Sequence, residues 1–482
     1  MITALILFTI IGFLGAFDTL YHHEFKERLP WRPEVQDELK IHALRNVFYF
    51  IIFISLAWIE WHGILAWVFL AILLAEVFVT FTDFALEGKV RDVPSPEIII
   101  HALLGIVYGA ALAYLIPEVL GWTNAVSGFN LVNHGLLSWV MTAYALAVLV
   151  FAFRDHFRSL EVDNFKQTYA ISLKEKKQQV LITGGSGFIG SKVAQALIED
   201  GHEVSILTRS FKTTAQKFSK QLTLLESLDE VENAYEIILN LAGSPINQRW
   251  NKENREKIVK SRLTITQEVV KYIQRIDKKP KLLISSSGTG IYEESLTEEF
   301  NELSALSSSS FTAEVCKAWE AEAQKAEKYG VRVVPLRTGL VLATDGGVLS
   351  QMLPAFDLCL GGKLGSGKQM MPWIDMQDML GVIEHIINNN ELEGVVNATA
   401  PMPVNNLVFS KSLAKAMRRP ILLPTPVFML NLLYGKEMVQ ELLLEGRSVY
   451  PVKVQERGYE FKFKTLEASM NNLFKGEKNA HN

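Results

Sequence analysis

The stretch VLITGGSGFIGSKVAQALIEDGHEVSILTRS, residues 180–210, decides the fold of the larger part of this chain. An apolar run ends at Thr183, a glycine-rich turn follows, and then come a segment with helical spacing, a stop at Gly201 and a second apolar run that leads to Arg209. Strand, helix and strand in that order make a parallel β-α-β unit. Gly184, Gly187 and Gly190 stand in Gly-x-x-Gly-x-x-Gly spacing. The first permits a tight turn, the second lets the backbone approach a pyrophosphate, and the third lets the helix pack on the strand. Phe188 and Ile189 open that helix, whose free N–H groups suit an anion, and are counted with the cofactor-binding residues. A bare glycine turn is the plainer alternative, and the strand before it and the helix after it weigh against that.

The end of the second strand chooses between cofactors. An acidic side chain there takes the ribose 2′-hydroxyl, and an arginine takes a 2′-phosphate. Arg209 stands at this place with no acid beside it. NADP is therefore expected, with NAD as the alternative if Arg209 is only a surface residue. Farther on, the runs EIILNLAG (236–243), KLLISSS (281–287), RVVPLR (332–337) and GVVNATA (394–400) alternate with helix-period segments at 251–275 and 313–329. Alternation of this kind gives a doubly wound, mostly parallel α/β sheet of Rossmann type. Asn240, Ala242 and Gly243 end one of its strands at the edge where ligands bind, and are expected to border the cofactor.

Ahead of this domain the chain is apolar. Stretches near 1–17, 43–60, 63–86, 98–120 and 131–153 each approach the roughly 17 to 25 residues that span a bilayer, so five transmembrane helices are expected. Lys26, Arg28, Arg32 and Lys40 lie in the first connection, Lys89 and Arg91 in the third, and Arg154 and Arg158 after the last span, whereas the second and fourth connections hold no basic residue. The positive-inside rule then puts the N-terminus outside and everything after residue 153 on the cytoplasmic side of a bacterial-type inner (cytoplasmic) membrane. The first stretch has neither a basic n-region nor a cleavage site, so it reads as a retained span.

Of 482 residues 49% are hydrophobic, and the net charge of -4 leaves no basic patch for a nucleic-acid partner. Two distant cysteines, Cys316 and Cys359, exclude a disulfide framework. The expected partners are the bilayer and a small-molecule substrate, while nothing in the sequence fixes the substrate or an oligomeric state. The expected organisation is a membrane domain at 1–153, a cytoplasmic linker at 154–178, an NADP-binding domain at 179–425 and a small C-terminal α+β domain at 426–482.

The membrane part carries Asp18, His22, His23, His42, Asp83, Glu87 and His101 at one end of the expected spans, with Glu76 deeper. Asp18/His22 and Asp83/Glu87 share helix faces by their i, i+4 spacing. Interfacial residues are the plainer reading and no metal ligand is assigned, with a heme or metal site as the alternative.

Several motifs together carry a resemblance: TGGSGFIG, NLAGSPI with RW close behind, KSRLTIT, SSSGTGIY, LRTGLVLATDGG, GGKLGSGKQ, NATAPMPV and YGKEMVQELLLEGRSVYP. In this order they resemble an atypical subgroup of the extended short-chain dehydrogenase/reductases. Its members are epimerase/dehydratase-like, sometimes called cell-division-inhibitor-like, and end in a small domain of unknown function. The resemblance covers residues 180–474. It implies a nicotinamide cofactor and a departure from the usual Tyr-x-x-x-Lys pair at FTAEVCKAWE (311–320), where Thr312 and Cys316 take the aligned positions. Ser287 then corresponds to the substrate-orienting serine, with Thr289 beside it, and Tyr292 is the expected general acid, or else a loop tyrosine that packs. Trp373 and Asp378 match a segment that lines the substrate side, and Asp375 stands where the family more often has histidine. The expectation is a membrane-anchored NAD(P)-binding oxidoreductase or epimerase-like protein. The alternative is a non-catalytic, NADP-responsive regulator or scaffold.

Overall fold

The computed structural model describes residues 1–91, 93–165, 167–218, 222–229 and 231–475. The chain folds as two compact units, Met1–Lys166 and Gln167–Asn482.

The first unit is helical. Helix α1 (Ile2–Phe17) continues as a π-helical segment, Asp18–Glu27, and is followed by α2 (Gln36–Trp58), strand β1 (Ile59–His62), α3 (Ile64–Val90), α4 (Ser95–Trp122), β2 (Gly128–Leu131) and α5 (Leu136–Glu161). Five helical segments of 26 to 28 residues are long and apolar enough to cross a membrane. The helices outrun the apolar stretches of the sequence. Helix α2 starts at Gln36 and so takes Glu38 and His42 into its first turns, both buried. Inside the bundle Phe8, Phe53, Leu56, Phe69, Leu115 and Met141 pack together, with Phe8 edge-on to Phe53 at 6.3 Å. The outer faces are apolar as well, at Phe13, Trp67, Leu74, Phe78, Ile106, Trp139 and Val150. A helix apolar on all sides suits lipid rather than water. At one end β1 and β2 pair antiparallel. There Gly63 has φ +61°, and a Cβ on it would meet the Ser127 backbone at 2.6 Å.

The second unit is built on β3 (Gln179–Thr183), α6 (Phe188–Glu199), β4 (Glu203–Leu207), α7 (Phe211–Lys217), β5 (Thr223–Leu225), β6 (Ile237–Asn240), α8 (Lys252–Arg275) and β7 (Leu282–Gly288). It continues through the short β8 (Glu299–Phe300), α9 (Phe311–Gln324), β9 (Arg332–Thr338), β10 (Leu340–Ala343), α10 (Gly347–Asp357), β11 (Met370–Met371), β12 (Trp373–Asp375), α11 (Met376–Asn388) and β13 (Val396–Ala398). Seven strands form one sheet in the order β13-β9-β7-β6-β3-β4-β5, parallel throughout. This is the doubly wound Rossmann arrangement expected of the alternating apolar runs. The two-residue period of a strand sends Val180 and Ile182 into one buried layer and Leu181 into the other. Val193, Leu197 and Ile383 cover the first face, and Val269, Ile273 and Ala323 cover the second. Both faces are buried, so the strands read as unbroken apolar runs.

Side-chain caps start the crossover helices: Asn251 accepts from the Asn254 amide at 2.8 Å and Ser310 from the Ala313 amide at 3.3 Å. Part of the expected linker is seated on this unit. Ile171 and Leu173 join its core, and the Leu173 amide donates to Asp200 Oδ2 at 2.9 Å. The C-terminal segment adds helices Val427–Tyr434, Lys436–Val439, Val452–Glu456 and Leu466–Lys475, and a strand Ser448–Val449 that pairs parallel with β8. The last residues of the expected C-terminal domain, 476–482, lie outside the described residues.

Candidate functional site: a dinucleotide cradle and the strand edge beside it

The glycine turn joins β3 to α6 and has no room for side chains. Gly184 has φ +72°, and a Cβ on it would lie 2.8 Å from the Ala242 backbone. At Gly190 a Cβ would lie 2.3 Å from the Gly184 carbonyl oxygen, and at Gly187 3.1 Å from the same atom. The turn is therefore wound around one carbonyl, with the α6 N-terminus opening beyond it, a cradle whose shape and free N–H groups fit a dinucleotide pyrophosphate. Phe188 closes one side by packing on Gly346 and Gly347, where a Cβ at Gly346 would meet its ring at 2.1 Å. Lys192 fastens the same loop through Asp345 Oδ2 at 2.6 Å. Ile189 is half-buried against the sheet core. From α7 the Lys217 Nζ donates to the Ser186 carbonyl at 2.7 Å. Arg209, one turn ahead of α7, is exposed.

Across from the glycines, a buried polar chain ties three strands together. Thr183 Oγ1 donates to Asn240 Oδ1 at 2.8 Å, and Asn240 Nδ2 donates to Thr266 Oγ1 at 2.8 Å and Ser285 Oγ at 3.0 Å. The Ala242 amide donates back to Thr183 Oγ1 at 3.3 Å. Asn240 thus fixes the strand ends, while Ala242 and Gly243 form the rim. Arg262, of KSRLTIT, supports that rim by donating to the Ser244 carbonyl at 3.1 Å while stacking over Trp319 at 5.1 Å.

At the end of β7 the side chains expected to do chemistry are largely engaged with one another. Ser287 Oγ donates to Glu320 Oε1 at 2.6 Å. Arg337 holds the same carboxylate twice, Nε to Oε1 and Nη2 to Oε2, both at 2.9 Å. Its Nη1 donates to the Tyr292 hydroxyl at 3.0 Å, and that hydroxyl donates to Asn397 Oδ1 at 2.8 Å. Tyr292 is fully buried among Ile291, Phe300, Cys316 and Val449. Burial raises its phenol above the ordinary tyrosine value, with Arg337 opposing. Of the two expectations for Tyr292, general acid or packed loop tyrosine, its depth matches the packing one: it follows the Thr289–Ile291 turn into the buried cluster with Val449. Thr289 is buried at that turn.

The helix that would carry the Tyr-Lys pair is instead capped by the C-terminal segment. Glu441 accepts from the Thr312 hydroxyl at 2.6 Å, the Thr312 amide at 2.7 Å and the Phe311 amide at 3.3 Å. A carboxylate at a helix N-terminus is favoured both by the free amides and by the helix dipole. Cys316 lies on the buried side of α9, and burial pushes its thiol up. Lys317 turns away to the Ser308 carbonyl at 2.7 Å. Sequence reading missed Arg447, which is 7% exposed and whose Nη1 would lie 3.8 Å from a Cβ on Gly290, in the turn after β7. Its Nε has no hydrogen-bond partner among the described residues, its Nη2 is 3.9 Å from Glu445, and burial holds its guanidinium below the ordinary arginine value.

In the WIDMQDM segment, expected on the substrate side, the side chains are engaged within the protein. Trp373 is buried and donates to the Met402 carbonyl at 2.9 Å. Asp378 anchors the C-terminal segment by accepting from the Lys462 amide at 2.7 Å and the Phe463 amide at 2.9 Å. Asp375 caps α11 through the Gln377 amide at 2.8 Å, and burial pushes its carboxyl up to about 6. These acids face inward because the C-terminal segment crosses over them, a contact no local pattern announces.

Comparison with known proteins agrees with this geometry. Residues 180–398 match the family model for the NAD dependent epimerase/dehydratase family, and residues 425–473 match a domain of unknown function (DUF1731). The chain is 38% identical over 307 residues, 62% of this chain and 87% of the relative, to the Arabidopsis thaliana protein "Epimerase family protein SDR39U1 homolog, chloroplastic". It is 34% identical over 302 residues, 62% of this chain and 99% of the relative, to "Epimerase family protein YfhF" of Bacillus subtilis. Among solved structures, the human epimerase family protein SDR39U1 with NADPH is similar at 31% identity and a TM-score of 0.56, covering 61% of this chain and 98% of that one.

Proposed function

This chain belongs to the NAD dependent epimerase/dehydratase family, as an atypical extended short-chain dehydrogenase/reductase with a C-terminal domain of unknown function, and from that premise we propose a membrane-anchored, NADP-preferring oxidoreductase. The observation that carries the cofactor choice is Arg209, exposed at the end of β4 beyond a cradle shaped by Gly184, Gly187 and Gly190. The relative solved with NADPH supports the same choice. When bound, a nicotinamide supplies or accepts a hydride. This chain's part is to hold the pyrophosphate at the α6 N-terminus and to place a carbonyl at the β7 edge beside Ser287, whose single hydroxyl proton would have to turn from Glu320 to the carbonyl oxygen. Arg447 supplies positive charge beside it, in place of the lysine that Cys316 replaces.

The purified full chain is expected to bind NADP(H) more tightly than NAD(H) in calorimetry. Arg209→Ala should remove most of that difference, roughly 1.5–3 kcal/mol for a charge-assisted contact. Equal affinity of the unsubstituted chain for both nucleotides would sink the assignment.

A second reading has its own support: Ser287, Tyr292 and Thr312 all donate within the protein, to Glu320, Asn397 and Glu441. A domain with its hydroxyls so engaged suits a regulator or scaffold that binds NADP without turnover. NADPH consumption across a broad panel of carbonyl compounds separates the two, since a regulator leaves bound NADPH unchanged. For topology we hold to the orientation read from the basic residues, N-terminus outside and the nucleotide unit on the cytoplasmic face. Reporter fusions after Arg32, Lys89 and Arg158 should score cytoplasmic, and an inverted pattern would end that assignment.

A further inference from the structure

The helical unit buries an unusual set of charges. Where the π-helical end of α1 meets α2, α3 and α4, the structure brings together Asp18, His22 and His23 from the first, His42 and Glu38 from the second, Glu87 from the third, and Glu97 and His101 from the fourth. All are buried except His101, whose side chain is 11% exposed. Asp18, Glu38, Glu87 and Glu97 are four carboxylates, and the arginine that reaches into them, Arg91, bonds to Glu38, Glu87 and Glu97. Four carboxylates against one arginine are costly to bury unless protons on the neighbouring histidines or a further cation neutralise them.

Two features give that cation a place. Ligand atoms from Asp18, His23, Glu97 and His101 all lie within 4.8 Å of one another, and so do those of His23, His42 and Glu87. Within the first group His23 Nε2 is 3.5 Å from Asp18 Oδ2 and 3.5 Å from Glu97 Oε1, and His101 Nε2 is 3.1 Å from the same Asp18 oxygen. Donors around a cation with bonds of about 2.1 Å stand about 3.4 Å apart at the corners of a tetrahedron. Moreover, among the described residues His23 Nε2 has no hydrogen-bond partner although its side chain is only 5% exposed. A buried ring nitrogen without a partner, facing two carboxylate oxygens slightly too far away for hydrogen bonds, is the arrangement of a ligand rather than of a packed histidine.

The surroundings hold these donors as outer-shell partners hold ligands. His22 Nδ1 bonds the other Asp18 oxygen at 2.8 Å. Arg91 grips both Glu97 oxygens, Nη1 to Oε2 at 3.1 Å and Nη2 to Oε1 at 2.6 Å, which leaves the second lone pair of Oε1 for a cation. The His42 ring stacks on His23 at 4.6 Å with the planes 3° apart, which fixes the imidazole. The π-helical winding of Asp18–Glu27, a feature frequent at functional sites, carries both Asp18 and His23.

We infer that His23, His101, Asp18 and Glu97 bind one divalent first-row transition cation, with His42 and Glu87 as adjoining donors. Two imidazoles and two carboxylates without a thiolate favour iron(II), manganese(II), cobalt(II) or zinc(II) over soft ions. The inference is independent of the nucleotide site, since every residue named lies in the first unit.

Cobalt(II) is the probe, because its visible spectrum reports coordination. The full chain in detergent, stripped with chelator, should take up cobalt(II) to about one ion per chain and develop the intense visible bands of four- or five-coordinate cobalt with nitrogen and oxygen donors. His23→Gln and His101→Gln should each weaken uptake by at least about tenfold, as loss of even an outer-shell partner does, and His134→Ala should leave it unchanged. A chain without substitutions that takes up no cobalt(II), or only the weakly coloured hydrated ion, overturns the site. Uptake by the double variant His23→Gln/His101→Gln equal to that of the parent overturns it too. The first arm needs no substitution, so a variant that fails to fold cannot rescue the proposal.

Discussion

Replacing Arg337 by methionine is expected to cost the second unit about 3–5 kcal/mol of stability, the range for removing one partner of a buried ion pair. Arg337 is 3% exposed and its guanidinium is fully committed, two bonds to Glu320 and one to Tyr292. Methionine fills much of the volume and supplies none of the charge. Glu320 would remain buried with Ser287 as its remaining side-chain donor, at 2.6 Å. Two ways out exist, protonation of the carboxylate or local opening of α9, and both cost folding energy. The double variant Arg337→Met/Glu320→Leu should recover most of the loss, because well-packed apolar residues replace a buried ion pair with little penalty. Urea unfolding of the detergent-solubilised chain, followed by proteolysis of the second unit, measures both variants. A loss below about 1 kcal/mol for the single variant would show that the pair is solvated, and the closed network at the β7 edge would then be discarded.

The same network shows what sequence reading could and could not reach. The glycine positions were legible because their meaning is local: the turn, the strand before it and the helix after it lie within one short stretch, and each glycine meets atoms of that turn or of its neighbour strand. The five apolar helices were legible for a similar reason, composition over about 20 residues. The depth of Tyr292 was not, because the sequence left it open between a general acid and a loop tyrosine that packs. Its actual depth is set by the Thr289–Ile291 turn and by Val449, far along the chain. The loss of the Tyr-Lys pair was visible, but its physical counterpart was not. Glu441 lies 129 residues from Thr312, and no periodicity links a helix N-terminus to the carboxylate that caps it from such a distance. In the helical unit, i, i+4 spacing paired residues within a helix and so found Asp18 with His22. Glu38, Glu97 and Arg91 join the cluster only through packing between helices.

Gly190→Val should weaken NADP(H) binding by about 100-fold, the upper part of the about 1–3 kcal/mol that overpacking costs. The first added atom, Cβ, would stand 2.3 Å from the Gly184 carbonyl oxygen, 2.9 Å from its carbon and 3.0 Å from Gly185 Cα. All three are backbone, so no rotamer change relieves the contact. Either α6 moves off β3 or the turn opens, and in both cases the amides that would face a pyrophosphate leave their positions. Gly201→Ala is the matching control. Gly201 has φ +90°, and a Cβ on it meets nothing within 4 Å, so alanine there strains the backbone without touching the cradle. It should cost roughly 1 kcal/mol of stability and leave nucleotide affinity near that of the parent. Calorimetric titration of both variants, with circular dichroism to confirm that each is folded at the titration temperature, distinguishes a lost cradle from a lost fold. If Gly190→Val binds NADP(H) within about threefold of the parent, the pyrophosphate does not lie where the turn, the helix N-terminus and the three glycines converge. In that event the assignment of Arg209 to a 2′-phosphate falls with it, because the strand end that carries Arg209 is placed relative to that same turn.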